Sequence, residues 1–489
     1  MNSEIEVFKI RIVSPPYQLI NLSTYQHPMI KIPVIAIYDV GKTNKKLLLF
    51  NEEYKLVYEE TKQLEETKDE DGYACEDVLL LTQWVKESFD RLLSGGRFNI
   101  KAINFAAYGA SFVYLDEKKD IIPPLYNYLK PYPPDLQKVF FKNYGGETAV
   151  CKQTASPSLG NLNSGLQLYR LKYENPRKFA QIKYALHLPQ YLSFIFTQQV
   201  FSEITSVGCH TFLWDFRQNS YHEWVDKENI MEKLPDFLYA GNPGGVTQDK
   251  ITVGVGLHDS SAALIPYLIS FNDPFILLST GTWCISLNPF NDILLSGDEL
   301  SKDCLCYLSY EKKPVKASRL FAGYEHEQQV IRLAQYFNKP KDYFAGIAYD
   351  PKILIKLSSG NKRNIKSKRA AKIGQSFFEA RNLNTFLNYE EAYHQLIADI
   401  IAQQVNSTQL LLEGGIIKRI FVDGGFSKNS IFMHLLADAL PRYEVYAAAM
   451  PAASALGAAL VIHQHWNSRP LPADIIDLKL YSVPHDAAL

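Results

Sequence analysis

One device occurs in both halves of this chain and restricts what the chain can become. In the first half an apolar run, Val34–Ile37, leads into a polar stretch, Asp39–Lys46, rich in small, hydroxyl and basic residues. It returns as a second apolar run, Leu47–Phe50. In the second half Phe275–Leu278 leads into Ser279-Thr280-Gly281-Thr282 and returns as Trp283–Leu287. Short apolar runs bounded by glycine and hydroxyl residues read as buried strands joined by a tight turn. A third run, Lys55–Tyr58, extends the first copy into a β-meander. The repeat predicts two β-first α/β domains, and 489 residues suffice to give each its own core.

Composition narrows the partners. The formal net charge is −1 with no basic excess, which argues against nucleic acid. The longest apolar runs are far too short to cross a bilayer. The N-terminal MNSEIEVFKIRIVSPP lacks the basic segment and apolar core of a secretory signal, so a cytoplasmic protein without membrane contact is expected. The six cysteines are scattered, and Cys304-x-Cys306 has neither a second pair nor a nearby histidine to complete a zinc set; they read as reduced thiols. Residues 1–30, containing Pro15-Pro16, read as an N-terminal extension. The charge run Glu59–Asp71 reads as a solvated loop or exposed helix end, and the basic stretch Lys362–Lys372, without interleaved aromatics, as an exposed loop or helix face.

The turns carry the chemistry. Gly41 lets the backbone approach an anion closely, with Thr43 and Asn44 as donors and Lys45 or Lys46 as charge. The Gly41-Lys42-Thr43 triplet is not a Walker A loop: the glycine required five residues earlier is Ala36, and a strand follows where a helix should. Between the copies, Glu76–Leu93 has helical periodicity. Next comes a strand with a small-residue turn, Ala106–Ala110, facing the same sheet end as the Asp39 turn if the strands are neighbours. Tyr108 beside Gly109 could line a pocket there. Ile251–Val255 reads as a buried strand, His258-Asp259-Ser260-Ser261 as the turn after it, and Ala262 onward as a helix. An aspartate there is ordinarily a cap. Toward the C-terminus, Lys418–Asp423 reads as a strand ending in Asp423-Gly424-Gly425, followed by a helix, Ile431–Leu440, whose N-terminal N–H groups would face a phosphate or ribose at the glycine turn. Glu390–Leu412 reads as a long amphipathic helix, and Met450–Ile462 as a small-residue helix suited to close packing.

Two Gly/hydroxyl turns that can grip phosphates, one aspartate to hold Mg²⁺ and another to accept a proton suit phosphoryl transfer, which is mostly positioning and electrostatics. Their order along the chain resembles the FGGY family of carbohydrate kinases, from about Pro33 to Ile462. Asp39-Val40-Gly41-Lys42-Thr43-Asn44-x-Lys46 resembles that family's first phosphate motif, and Ser279-Thr280-Gly281-Thr282-Trp283 its second. Leu188-Pro189-Gln190-Tyr191-Leu192, Glu203-x-Thr205-Ser206 and Trp224 resemble its mid-domain segment, and Gly256-x-His258-Asp259-Ser260-Ser261-Ala262 its catalytic-base motif. Asp423-Gly424-Gly425-x-Ser427-x-Asn429 with Ala455-x-Gly457-Ala458-Ala459 resembles its adenosine segment. The resemblance implies two actin-like (ribonuclease H-like) domains, residues 31–268 for sugar and 269–489 for nucleotide, with an interdomain cleft. It implies ATP, Mg²⁺ and a sugar as ligands, with a homodimer as one open assembly state.

The same resemblance implies roles. Asp259 would be the general base. His258, Tyr108 and Gly109 would face the sugar, and Asp39 would hold the metal. Gly41, Thr43, Asn44, Lys46, Thr280, Gly281 and Thr282 would surround the phosphates, and Gly424, Gly425 and Asn429 the nucleoside. The HDSSA wording is nearest the rhamnulokinase-like branch, which favours a ketose, a 6-deoxy one among them, and the family resemblance implies transfer to a primary hydroxyl. Departures are Lys42, and Gln167 and Arg170 where relatives often carry Lys and Trp. The alternatives left open are a polyol kinase of the same family and a decayed actin-like ATP-binding sensor.

Overall fold

The computed structural model describes residues 10–11, 31–359, 376–412, 417–450 and 452–481. Most of residues 1–30 and the stretch Lys362–Lys372 lie outside these. The chain forms two compact units: residues up to Pro266 with Tyr307–Lys313 and Pro451–Ile475 in one, and Tyr267–Cys306, Pro314–Met450 and the residues from Ile476 in the other.

In the first unit, β1 (Ile32–Val40), β2 (Lys45–Asn51) and β3 (Leu56–Lys62) form the expected antiparallel meander. β4 (Phe98–Ala107) then runs parallel to β1 on its other side, and β5 (Thr252–Gly254) and β6 (Leu257–His258) run parallel to β4. Both faces of this sheet are covered, so β1 reads as a near-continuous apolar run. Val34, Ala36, Tyr38 and Val40 pack into a core shared with helices Val78–Ser94 and Leu188–Thr197. Ile35 and Ile37, fully buried on the opposite face, lie on the side of helix Ala453–Val461. Asp77 starts the first of these helices by accepting from the N–H groups of Leu79 and Leu80 at 2.9 and 3.0 Å.

The second unit repeats the order. β7 (Phe275–Thr280) pairs antiparallel with β8 (Cys284–Asn288); β9 (Cys304–Leu308) and β10 (Pro314–Leu320) continue outward from β8. On the other side β11 (Arg419–Gly424) and β12 (Glu444–Ala449) run parallel to β7, and β13 (Asp477–Tyr481) closes the edge. Tyr389–Leu412 is the long helix the periodicity predicts. Among the described residues no helix is long and apolar enough to cross a membrane.

Three local readings change. The Asp39–Lys46 turn shrinks to Gly41–Asn44, because Asp39 and Lys46 sit opposite each other in the β1–β2 ladder, a favourable cross-strand charge pair. The Glu59–Asp71 charge run is largely exposed, as expected, but it is strand rather than loop or helix end, and Glu60 and Asp69 are buried. It completes β3 and enters a hairpin, Glu66–Lys68 against Ala74–Glu76. Glu60 is buried under Trp84 and Arg91, and Asp69 and Asp71 both grip Lys130, at 2.5 and 2.6 Å. Asp259 is the first residue of helix Asp259–Ser270 rather than part of a preceding turn.

A buried asparagine ties the sheet to its cover. Asn104 on β4 donates to the Ala458 carbonyl at 2.7 Å and accepts from Gly256 N–H at 3.0 Å, in the break between β5 and β6. Gly254 is required there, since a Cβ would stand 2.2 Å from the Asn104 amide oxygen. Replacing Asn104 by leucine strands two buried backbone groups. The expected loss is about 2–4 kcal/mol, read as an earlier denaturation midpoint; a midpoint equal to the parent's would contradict this account.

Candidate active site

The register of three parallel strands assembles a candidate site in the first unit. Val40 is level with Ala107, and Ala107 with His258, so β1, β4 and β6 end side by side. The carboxyl ends of parallel strands, where the chain turns away into helices, are where α/β sheets bind ligands. Here they deliver Asp39, Tyr108 with Gly109, and His258 with Asp259.

Asp39 accepts a hydrogen bond from the Ser454 hydroxyl at 2.7 Å. Burial pushes its carboxyl up to about 6, helped by the charge of Asp259. Asp259 accepts from Ser260 N–H at 2.6 Å and keeps 36% of its side chain accessible. That hydrogen bond and the helix N-terminus favour the carboxylate, yet burial outweighs them and its carboxyl also rises to about 6. Two carboxylates that each resist ionisation, one of them open to solvent, are an arrangement suited to a cation or to proton transfer.

His258 is buried, with Nε2 3.3 Å from Asp259 Oδ1 and its backbone N–H donated to Thr205 Oγ1 at 3.0 Å. Burial lowers its imidazole to about 4, so it is neutral at physiological pH. Gly109 packs against that ring: a Cβ would stand 2.9 Å from the imidazole. The Tyr108 hydroxyl donates to Glu76, which leaves the ring as what it can present to a ligand. In the neighbouring turn, closed by Gly41 N–H to Asn44 carbonyl at 2.9 Å, Thr43 and Asn44 are exposed. Asn44 accepts from Gln63 at 3.0 Å, Lys42 pairs with Glu66 at 2.6 Å, and Lys46, within β2, pairs with Glu59 at 3.1 Å.

The second unit builds a cavity of about 580 Å³ between its own two glycine turns. Thr280 Oγ1 donates to the Asp423 carbonyl at 2.5 Å and accepts from Phe426 N–H at 3.0 Å, while Gly425 N–H donates to the Thr280 carbonyl at 2.9 Å. The buried hydroxyl is thus saturated and locks the two turns together. Gly424 adopts φ +88°, and a Cβ there would stand 1.9 Å from the Thr280 carbonyl oxygen. Gly281, Gly425 and Asn429 line the cavity, and Thr282 is exposed beside Gly281. The helix expected over Ile431–Leu440 runs Ser430–Ala439. A short 3₁₀ turn separates it from the glycine turn, and Asn429 caps the helix by accepting from Phe432 N–H at 3.0 Å. Asn429 also donates to the Tyr393 hydroxyl at 2.8 Å, which lies 3.0 Å from His326 Nε2.

Sequence reasoning missed Ser454, Gly323, His326, Phe344 and Tyr393. Gly323 carried a signal: it opens a helix just after β10, and a Cβ there would stand 1.8 Å from the Gly281 carbonyl oxygen. The others become neighbours only through long-range packing. Among the described residues no cluster of three or more His, Cys, Asp or Glu side chains is arranged to hold a metal ion. A site of one carboxylate completed by ligand oxygens, as Asp39 could offer, is the mode Mg²⁺ ordinarily uses.

Residues 34–265 match the N-terminal domain of the FGGY family of carbohydrate kinases, and residues 355–463 its C-terminal domain. Rhamnulokinase from Mannheimia succiniciproducens is 24% identical over 268 residues, 51% of this chain and 52% of that protein, so the chain spans about half the length of this curated relative in the match. A carbohydrate kinase from Novosphingobium aromaticivorans superposes with a TM-score of 0.73 at 21% identity, covering 93% of this chain and 95% of that one. Ligand-bound xylulose kinase from Lactobacillus acidophilus gives 0.74 at 17%, covering 93% and 94%. Plasmodium falciparum glycerol kinase with ADP gives 0.65 at 16%, covering 89% and 90%. These likenesses show the fold, α/β with two actin-like domains.

The raised carboxyls predict a stability signature. Asp39 and Asp259 ionise near pH 4 unfolded but near 6 folded, so between those values the native state holds more protons and stability falls as pH rises. Above pH 6 the penalty is complete. At pH 8 Asp259→Asn should therefore be more stable than the parent by on the order of 1 kcal/mol, after discounting for its open side, with the gap closing below pH 4. A variant less stable at pH 8 would contradict the assignment.

Proposed function

The chain belongs to the FGGY family of carbohydrate kinases, and from that premise we propose that it is an ATP-dependent sugar kinase phosphorylating a primary hydroxyl of a ketose. The observation that carries the reading is Asp259. It is a partly open carboxylate with a raised pKa, at the end of a strand beside Asp39, within the stretch matching the family's N-terminal domain. The rhamnulokinase match favours a ketose over a polyol.

In this reading Asp259 accepts the proton of the sugar alcohol as its oxygen attacks the γ-phosphorus. One O–P bond forms, the bond to the β–γ bridging oxygen breaks, and ADP leaves. The neutral His258 imidazole, with its proton on Nε2, steadies the carboxylate, and the rings of Tyr108 and His258 flank the sugar. Backbone N–H groups of the Gly41–Asn44 turn, with the side chains of Thr43, Asn44 and Lys46, receive phosphate oxygens, Lys46 by exchanging its Glu59 partner. Gly281 and Thr282 do so from the second turn, with Thr280 holding that turn in shape. Gly424 and Gly425 let the nucleotide approach, and Asn429, Tyr393 and His326 face its nucleoside. Asp39 would hold Mg²⁺, whose charge, when bound, offsets that of the phosphates.

A panel of ketopentoses, ketohexoses, 6-deoxyketoses, glycerol and gluconate in a coupled ADP assay tests the substrate. A ketose should give the highest kcat/KM. Preference for glycerol would move the assignment to the polyol branch, and nucleotide binding without sugar-dependent turnover would favour the sensor. With the best sugar, kcat/KM should be level above about pH 7 and fall below about 6, by up to tenfold per unit for each of Asp259 and Asp39 as they become protonated. A profile flat from pH 5 to 8 would remove Asp259 as the base.

A further inference from the structure

Behind the Gly41–Asn44 turn lies a buried ion pair that the proposed chemistry does not use, and Tyr108 joins it to make a triad. Lys45 and Glu76, 2% and 4% exposed, form an ion pair. The Lys45 ammonium also donates to the carbonyl of Lys42, inside the turn, at 3.0 Å. The other Glu76 oxygen accepts the hydroxyl of Tyr108. Tyr108 in turn donates its backbone N–H to the Val40 carbonyl at 3.1 Å, sets its ring 5.7 Å from that of Tyr128, and is followed by Gly109, pressed on the His258 imidazole. A continuous series of contacts thus runs from the first turn to the residue before Asp259.

A lysine and a glutamate withdrawn from water are weak evidence for stability, because apolar residues of similar volume often do as well. What such a triad adds is direction: Glu76 pairs with Lys45 through one oxygen and accepts from Tyr108 through the other, so it ties the two to each other. We propose that Glu76 is a positioning residue: through Lys45 on one side and Tyr108 on the other, it holds the Gly41–Asn44 turn and the Tyr108-Gly109 turn at one separation. The inference rests on the sugar-kinase reading. If the first turn receives the phosphates and the second faces the sugar, their separation sets the distance between attacking oxygen and phosphorus, where a shift of about 1 Å can cost on the order of 10²-fold in rate.

The test replaces the whole triad by apolar residues of similar size, Lys45→Met with Glu76→Leu and Tyr108→Phe, so that no member of the triad is left unpaired and only the part-buried Lys42 carbonyl loses its donor. Tyr108→Phe alone is the second variant. For the triple variant the expected result is a melting temperature close to the parent's, kcat lowered at least about 30-fold, and calorimetric affinity for a non-hydrolysable ATP analogue within about threefold. A folded triple variant with parental kcat overturns the proposal, as does an activity loss that only follows the unfolded fraction and is recovered by assaying at lower temperature. Should the triple variant fail to fold, Tyr108→Phe decides: a three- to tenfold loss of kcat that persists when assayed well below its melting temperature supports the proposal, and a parental kcat there overturns it. A parent inactive on every sugar of the panel would instead sink the kinase reading itself.

Discussion

Pairing of β1 with β4, and of β4 with β6, brings Asp39 and Asp259 to one end of a sheet whose buried face carries a large apolar core. A slip of one residue in either ladder would turn a carboxylate into the core or away from its partner, because side chains alternate faces along a strand. The register is therefore the condition on which the proposed chemistry depends. Much of the surrounding structure fixes it: Asn104 bridges the β5–β6 break to the covering helix, and Gly457 lets that helix approach until a Cβ would stand 1.8 Å from the Ala262 carbonyl oxygen.

The price of the arrangement is a pair of carboxylates held where they resist ionising. Strain of this kind is common where function opposes stability. The second unit solves a different problem with the same strand order. There the turns are emptied of side-chain bulk at Gly281, Gly323, Gly424 and Gly425, and a saturated threonine hydroxyl holds the remaining backbone in place, so that a cavity opens beside them.

Much of this was legible in the sequence, for reasons that differ by residue. The strands were visible because sheets buried on both faces need long apolar β-branched runs, and the repeated device gave two domains before any topology was known. Asp259 stood out through the company of His258 and the small hydroxyl residues after it. The ends of the first turn were misread because charged residues suggest solvent, whereas Asp39 and Lys46 answer each other across a ladder and Lys45 is buried against Glu76. Within the Glu59–Asp71 run, Glu60 and Asp69 misled for the same cause: they are buried against Arg91 and Lys130, far along the chain. Tyr393 and His326 could not be found locally, since a tyrosine on the inward face of a long helix reads as core until the fold sets it beside Asn429.

The central claim is that the carboxylate at position 259 takes the proton from an incoming alcohol. Rapid-quench single turnovers with γ-labelled ATP and the preferred sugar measure that step directly, because product release cannot mask it. Asp259→Asn should transfer the label about 10²- to 10⁴-fold more slowly than the parent while binding nucleotide as tightly. Transfer by the asparagine variant at the parental rate would contradict the account.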